Sequence, residues 1–366
     1  MERVDSVLIP NPRPAAHGCN ACELADGGIA VCWFAGTREG VEDQRVLVST
    51  SADGSTWSQP DVLVDHFAHD ADRWVPEVAA LVQTESDELW AVFSAAPISS
   101  FIYREDRDAY LRDLNQARLF QARISWPAAS KASRRAADGA GPSMGQPLEI
   151  PSRLPMILQG KALPVPGGGW LIQCNSRDSE GRHAASLFEG EPGGAWRETR
   201  HLTTIPGCLE ASTAFFADGR ILTYARYSGY GGHIWRSEST TDTSELSEPV
   251  QTTLRNPHSG IDIAATADDR MLIVYNDSYR LRTPLTLGLS DDRGRTFRCH
   301  DIEYEAGEFS YPKLFCRSDG SWFLFYTHQR KRIACFAFDL EFFADGRPTV
   351  GLSPRLHDPA TDRSAP

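Results

Sequence analysis

The chain has 366 residues, 41% of them hydrophobic and 23% charged, which is ample for a large buried core and excludes a disordered chain or a disulfide-stapled miniprotein. Thirty-seven Lys and Arg against 49 Asp and Glu leave a formal charge of -12, which disfavours a nucleic-acid backbone or an anionic membrane as partner. A few convergent arginines can still make a positive pocket for a small anionic ligand on such a surface.

The amino-terminal stretch MERVDSVLIPNPRPAAHG has no apolar h-region, and no run approaches the ~18 continuous apolar residues of a membrane span. As written the chain is expected to be cytoplasmic, or secreted if a signal peptide has been removed. Its eight cysteines are scattered, several in apolar runs such as AVCWF and KLFCR, and read as free core thiols. Cys19-x-x-Cys22 is the one metal-like spacing, but no second Cys or His pair follows it at zinc spacing, so neither metal nor cofactor is expected.

Along the chain one unit recurs: a β-rich run, a polar turn, then a strongly apolar run. The turns fall at Asp26, Asp87, Gly167, Asp218, Asp268 and Asp319, with gaps of 61, 80, 51, 50 and 51 residues. A period near 50 is enough for four short strands, which is one blade of a propeller. The expected fold is therefore all-β, a single six-bladed β-propeller over residues 1–345 with a C-terminal tail at 346–366. The long second gap has a local cause, because residues 127–147 are rich in Ala, Ser, Gly and Pro and read as a mobile insertion in blade two. The preceding segment, 101–125, has helix-compatible composition and is the one place where a short helix is expected.

A second periodic signal lies between the hairpins. Ser290 to Phe297, SDDRGRTF, fits S-x-D-x-G-x-T-[WF], an Asp box whose Ser and Asp side chains fold onto turn amides while the aromatic residue plugs the core. Thr50 to Trp57, TSADGSTW, is the same box with Ala52 at the usual Asp position, and Ser239 to Leu246 is a more worn copy.

In a propeller blade the start of the first strand and the end of the second lie on one face, opposite the turns. Polar residues recur at these edges: His17, Asn20, Arg73, Glu77, Lys161, Glu210, Ser259, Asp262, Glu308 and Tyr311 at first-strand starts, and Arg38, Glu39, Asn175, Arg177, Arg226, Asn276, Asp277, His328 and Arg330 at second-strand ends. Strand packing does not need them. A site rich in arginines and carboxylates suits an anionic sugar whose glycosidic bond needs acid/base help.

At these residues the chain resembles the sialidase (neuraminidase) superfamily, in its BNR-repeat, Asp-box branch. The resemblance rests on HGCNACELADGGIAVCWFAGTREG, GCLEASTAFFADGRILTYAR, NPHSGIDIAATADDRMLIVYNDS, and RTPLTLGLSDDRGRTF followed by GEFSYPKL. It implies an exo-glycoside hydrolase acting on a terminal acidic sugar, with Tyr311 as nucleophile, Glu210 polarising it, and Arg226 and Arg282 binding a carboxylate. The acid/base carboxylate is expected at Asp43, with Glu39 close behind, and Arg38 is placed to contact the ligand. Where the family opens blade one with an Arg-Ile-Pro motif, this chain has His17-Gly-Cys-Asn20. His17, Asn20, Arg38 and Lys161 are the groups expected to replace the absent guanidinium, His17 by becoming cationic below about pH 7 beside a bound carboxylate.

The expected partner is thus a carbohydrate, a glycoconjugate or oligosaccharide, with no nucleic acid or membrane involved. Two alternatives stay open on the same propeller: a uronate-directed polysaccharide lyase or glycosidase using His17 or His328 with Tyr311, and a non-catalytic carbohydrate-binding module.

Overall fold

The six expected turns fold identically. In each, the first residue's N–H donates to the carbonyl four positions on and its carbonyl accepts from the N–H three positions on, as in Leu24 N to Gly28 O at 2.8 Å and Gly27 N to Leu24 O at 2.7 Å. The pattern repeats from Thr84, Val165, Phe216, Thr266 and Arg317. The fourth residue of every turn has positive φ: Gly27, Asp87, Gly168, Gly219, Asp269 and Gly320. That is the three-residue hairpin loop whose last position needs the left-handed region, which is why glycine and aspartate punctuate the sequence there. Asp26, Asp218 and Asp319 reinforce it by accepting from the N–H two residues on.

The computed structural model describes residues 6–105, 109–126, 141–177, 183–202, 207–227 and 232–352. Six antiparallel sheets surround one axis. Blade one runs Ala15–Glu23, Ile29–Gly36, Arg45–Ser51 and Asp61–Val64, and blade four runs Cys208–Phe215, Ile221–Tyr227, Gly232–Ser239 and Val250–Asn256. Blade two is built on Asp72–Gln83, Leu89–Pro97 and Arg118–Ser125, and blade three on Trp170–Arg177, His183–Gly190 and Trp196–Leu202, with Met156–Leu158 and Leu163–Pro164 innermost. Blade six, Phe309–Cys316, Trp322–His328 and Arg332–Phe338, takes its outer strand from Val7–Ile9, where Leu8 pairs with Ala334. Hydrogen bonds between the two ends of the chain thus close the ring.

Each of six apolar clusters fills the seam between two neighbouring blades. The second strands are therefore covered on both faces, which is why Ile29–Gly36 and Met271–Asn276 are buried throughout and read as continuous apolar runs rather than alternating ones. Seven of the eight cysteines are buried and all are free, as expected of core thiols, with Cys316 exposed.

Two expectations are corrected. Segment 101–125 is not helical: Phe101–Arg104 pairs with Ala109–Arg112 as a ribbon, flanked by single 3-10 turns at Ile98–Ser100 and Leu114–Gln116, and Arg118–Ser125 is a blade strand. Composition permitted a helix, but cross-strand pairing and burial decided against it. The tail does not begin at 346, because Arg347–Val350 pairs with Thr296–Cys299 as a fifth strand of blade five, after Asp262–Ala265, Met271–Asn276, Leu285–Ser290 and Thr296–Glu303, Gly351–Leu352 follow, and residues 353–366 lie outside the described residues. Of the insertion at 127–147, residues 127–140 likewise lie outside them, while Ser143–Met144 pairs with Ile124–Ser125. Among the described residues no helix is long and apolar enough to cross a membrane.

The Ser290 turn has the hydrogen bonds its pattern implies: Ser290 Oγ accepts from Gly294 N at 2.7 Å, Asp292 accepts from Thr296 N at 2.8 Å, and Phe297 is buried. At the Thr50 copy, Ser51 and Asp53 take over one residue later. Ser51 Oγ accepts from Gly54 N at 2.8 Å and Asp53 from Ser55 N at 2.8 Å, so Ala52 costs the turn nothing it needs.

Candidate active site

Four innermost strands break register at one level, near the end away from the hairpin turns: between His17 and Asn20, Pro76 and Ala79, Leu209 and Ser212, and Ser310 and Lys313. A bulge sets two residues against one and re-aims a side chain. The first bulged residues are Gly18, Glu77, Glu210 and Tyr311. Gly18, Glu210 and Tyr311 have φ of 62°, 50° and 52°, a strained region for the latter two that the surroundings must hold. Glu210 is held by its backbone N–H, which donates to Asn175 Oδ1 at 2.6 Å. At Gly18 a Cβ would lie 2.8 Å from Phe34 Cε1, so blade one has no room for a side chain at the position that carries Glu210 and Tyr311.

Those two residues meet across the axis. Tyr311 Oη donates to Glu210 Oε1 at 2.8 Å, and Arg226 Nη2 pairs with the same oxygen at 2.7 Å. Arg226 Nη1 and Arg282 Nη2 both donate to His258 O, at 2.6 and 3.3 Å, and the two guanidiniums lie 6.0 and 5.5 Å from the Tyr311 ring centroid. Burial, and after it the Glu210 charge, push the Tyr311 hydroxyl well above its ordinary pKa, with the two arginines opposing. The resting group is a phenol beside a carboxylate. Gly260 makes room for the pair, since a Cβ there would sit 3.2 Å from Glu210 Oε2 and 3.3 Å from Tyr311 Cδ1.

The other wall is ionic. Glu308 Oε1 accepts from Arg282 Nη1 at 2.8 Å and from Arg330 Nε at 2.7 Å, and Arg330 Nη1 pairs with Glu39. Glu77, fully buried, pairs with Arg112. Glu39 lies at the mouth of the site, its side chain 40% exposed, and partial desolvation works to raise its carboxyl, but His17, Arg330 and Arg112 outweigh it and hold its pKa low. The His17 ring stands edge-on to Tyr311, centroids 4.2 Å apart, with both ring nitrogens buried and unpartnered. Burial takes its pKa down to about 3 in the ligand-free protein, so the imidazole is neutral there. Enclosure between Phe34 and Tyr311 denies the imidazolium the hydration it would need.

The remaining candidates divide. Asp43, first choice for the acid/base role, instead caps its own loop: its oxygens accept from Thr37 N at 3.1 Å and Thr37 Oγ1 at 2.7 Å. Arg38 and Arg73 are exposed at the rim. Asn20 ties blade one to blade two through Ala79 O, and Asn276 donates to Pro284 O and Phe309 O beneath the site. Asp277 pairs outward with Arg255 and Arg347, and His328 packs against Phe309. Lys161 and Asp262 do not reach the site. They pair with each other at 2.7 Å, and Lys161 floors a separate cavity of about 790 Å³ that opens among the hairpin turns. His69, Asp70 and Glu149 bring metal-ligand atoms together at the edge of blade two, but Arg118 already bridges both carboxylates, at 2.7 and 3.1 Å. Arg330 was named at a second-strand end without a role of its own, while sequence reasoning missed His258 and Arg112, the latter in the misread helix.

The sequence pattern of the BNR repeat-like domain matches residues 27–324. No curated protein matches the chain. Solved structures of the same fold include the Hadza microbial sialidase Hz136, 16% identical with a TM-score of 0.68 over 90% of this chain and 67% of that one. A protein of unknown function from Dyadobacter fermentans DSM 18053 is 14% identical, TM-score 0.69, over 92% of this chain and 98% of its own. Trypanosoma rangeli sialidase, in complex with the inhibitor DANA, is 14% identical, TM-score 0.62, over 93% of this chain and 59% of its own. At such identities the likeness is one of fold.

Proposed function

The chain belongs to the BNR repeat-like domain family, and from that premise we propose that it is a sialidase-like exo-glycoside hydrolase that removes a terminal acidic sugar with Tyr311 as nucleophile. The observation that carries this reading is the partly buried Tyr311 Oη–Glu210 Oε1 hydrogen bond of 2.8 Å, flanked by Arg226 and Arg282. A carboxylate next to the anomeric carbon repels a carboxylate nucleophile, so a neutral phenol relieved of its proton by a neighbouring base is the better attacker.

In the first step Glu210 takes the phenolic proton as Tyr311 Oη bonds to the anomeric carbon, and Glu39 gives its proton to the leaving oxygen as the glycosidic bond breaks. In the second step Glu39 takes a proton from water as the water oxygen bonds to the anomeric carbon and the Tyr311 Oη–carbon bond breaks, and Glu210 returns its proton to the departing Tyr311 Oη. Arg226 and Arg282 hold the sugar carboxylate and offset the negative charge developing on Tyr311. Glu39 is preferred to Asp43 because it faces His17 and Arg330, while the Asp43 oxygens are occupied by Thr37.

A fluorinated sialosyl fluoride, which traps the glycosyl-enzyme, tests the reading. Mass spectrometry should find the adduct on the peptide bearing Tyr311, and an adduct on Glu39 or Glu210 instead would refute the assigned nucleophile. The 4.2 Å contact of His17 with Tyr311 favours one competitor, a uronate lyase with His17 as base. Such an enzyme would release an unsaturated product absorbing in the ultraviolet, although an imidazole with a pKa of about 3 is a poor base at neutral pH.

A further inference from the structure

The one hydrogen-bonded ion pair of Glu39 among the described residues is with Arg330, a side chain that has other partners to choose from. Arg330, at φ 54° in the turn between the second and third strands of blade six, donates Nε to Glu308 and Nη1 to Glu39, and its Nη2 has no partner among the described residues. Glu308 Oε1 also holds Arg282, so one carboxylate oxygen joins the guanidinium facing Tyr311 to the guanidinium facing Glu39.

The groups that face Glu39 are Arg330 and Tyr311 from blade six, His17 and Glu77 from the innermost strands of blades one and two, and Arg112 from the Ala109–Arg112 strand. Arg112 is already paired with Glu77, and His17 is uncharged above about pH 3. Arg330 is therefore the counter-charge that decides the state of Glu39. A general acid must carry a proton when its substrate is in place, and a carboxylate gripped by a guanidinium does not.

We propose that Arg330 is a positioning residue that couples binding of an anionic sugar to protonation of Glu39. In the free protein it keeps Glu39 ionised. A sugar carboxylate seated against Arg282 offers the unpartnered Nη2 a second anion, draws the guanidinium from Glu39, and lets Glu39 take a proton from solvent. That proton then goes to the leaving oxygen, and the hydrolytic water restores it. The inference rests on the sialidase-like reading with Glu39 as acid.

The test is a titration of Glu39 in the full chain carrying carboxyl-labelled glutamate, followed by NMR from about pH 3 to 8, with Glu39→Gln to assign the signal. Wild type should show no Glu39 midpoint in that range. Arg330→Met should raise the midpoint by about one to three pH units, and Arg330→Lys should stay near wild type. A saturating sialic-acid glycal should raise the midpoint in wild type and add little in Arg330→Met. Arg330 is 37% exposed, which favours folding of the variants, and Arg330→Gln is the second choice if the Met variant fails. Equal midpoints in wild type and Arg330→Met, or equal glycal shifts in both, would overturn the coupling and leave the sialidase-like reading standing. A glycal that does not bind wild type at millimolar concentration would sink that reading and the coupling together.

Discussion

Midway along the propeller axis Asp262 accepts from Lys161 Nζ at 2.7 Å, Leu314 N at 2.7 Å and Ser212 Oγ at 2.5 Å, and Lys161 donates further to Ile263 O and Leu314 O. At the end away from the turns, His17 has two buried nitrogens without partners, and Glu210 Oε2, Arg226 Nε and Ser259 Oγ are also without hydrogen bonds. Innermost strands supply Asp262, Ser212 and Leu314 to the first group and His17 and Glu210 to the second. The saturated atoms join neighbouring blades, whereas the leftover atoms around Tyr311 lie where the proposed reading seats its ligand.

That contrast can be broken most sharply at the unsaturated end. Tyr311→Phe and Glu210→Gln should each lower turnover about a thousandfold or more while moving the thermal midpoint little, since each removes a group used in the chemical step. Near-normal turnover in both would mean that the spare atoms serve something other than catalysis. At the saturated end the effect should be the reverse. Asp262→Ala strands the Lys161 ammonium and leaves Ser212 and Leu314 N without their acceptor, so urea unfolding should show a loss of about 3–5 kcal/mol. A change under about 1 kcal/mol would deny Asp262 its structural part.

His17 sharpens the comparison through pH. Its folded pKa of about 3 lies below the ordinary 6.5, so the unfolded chain binds a proton that the folded chain refuses. The stability His17 contributes is present above pH 6.5, declines as pH falls, and is gone below about pH 3. Between about pH 7 and 5 denaturation should show a loss of about 2 kcal/mol that disappears in His17→Asn, and an unchanged pH slope in that variant would mean the imidazole is hydrated. The smallest effect is expected at Gly260. A Cβ there presses on Glu210 Oε2 and Tyr311 Cδ1, so Gly260→Ala should lower kcat about tenfold with stability nearly unchanged. An unchanged kcat would show that the pair can shift without loss.

The fold was legible because it repeats. Six Asp- or Gly-marked turns, each needing one left-handed residue, announce six hairpins in a linear string, and the apolar second strands between them announce burial on both faces. The helix read into 101–125 fails because nothing local distinguishes a charged ribbon from a charged helix when its partner strand, Ala109–Arg112, lies in the same stretch. The outer strand of blade six was not legible either, since Val7–Ile9 pairs with residues more than 300 positions away. Tyr311, Glu210, Arg226 and Arg282 could be named from their motifs. Glu39 could not be separated from Asp43, because four residues of loop decide which carboxylate pairs with Arg330 and which one closes on Thr37.

From the sequence alone come the blade count, the faces of the strands and the set of ionisable groups available to the site, since these depend on local periodicity and on turn chemistry that acts within a few residues. Which of those groups share an oxygen was decided only by the closed ring. Bulges at one level in blades one, two, four and six re-aim Gly18, Glu77, Glu210 and Tyr311, a glycine at 260 clears the space where two of them touch, and Glu308 links Arg282 to Arg330. Burial then turns those contacts into chemistry: it lowers the pKa of the His17 imidazole and raises that of the Tyr311 phenol, which no reading of neighbours along the chain can supply.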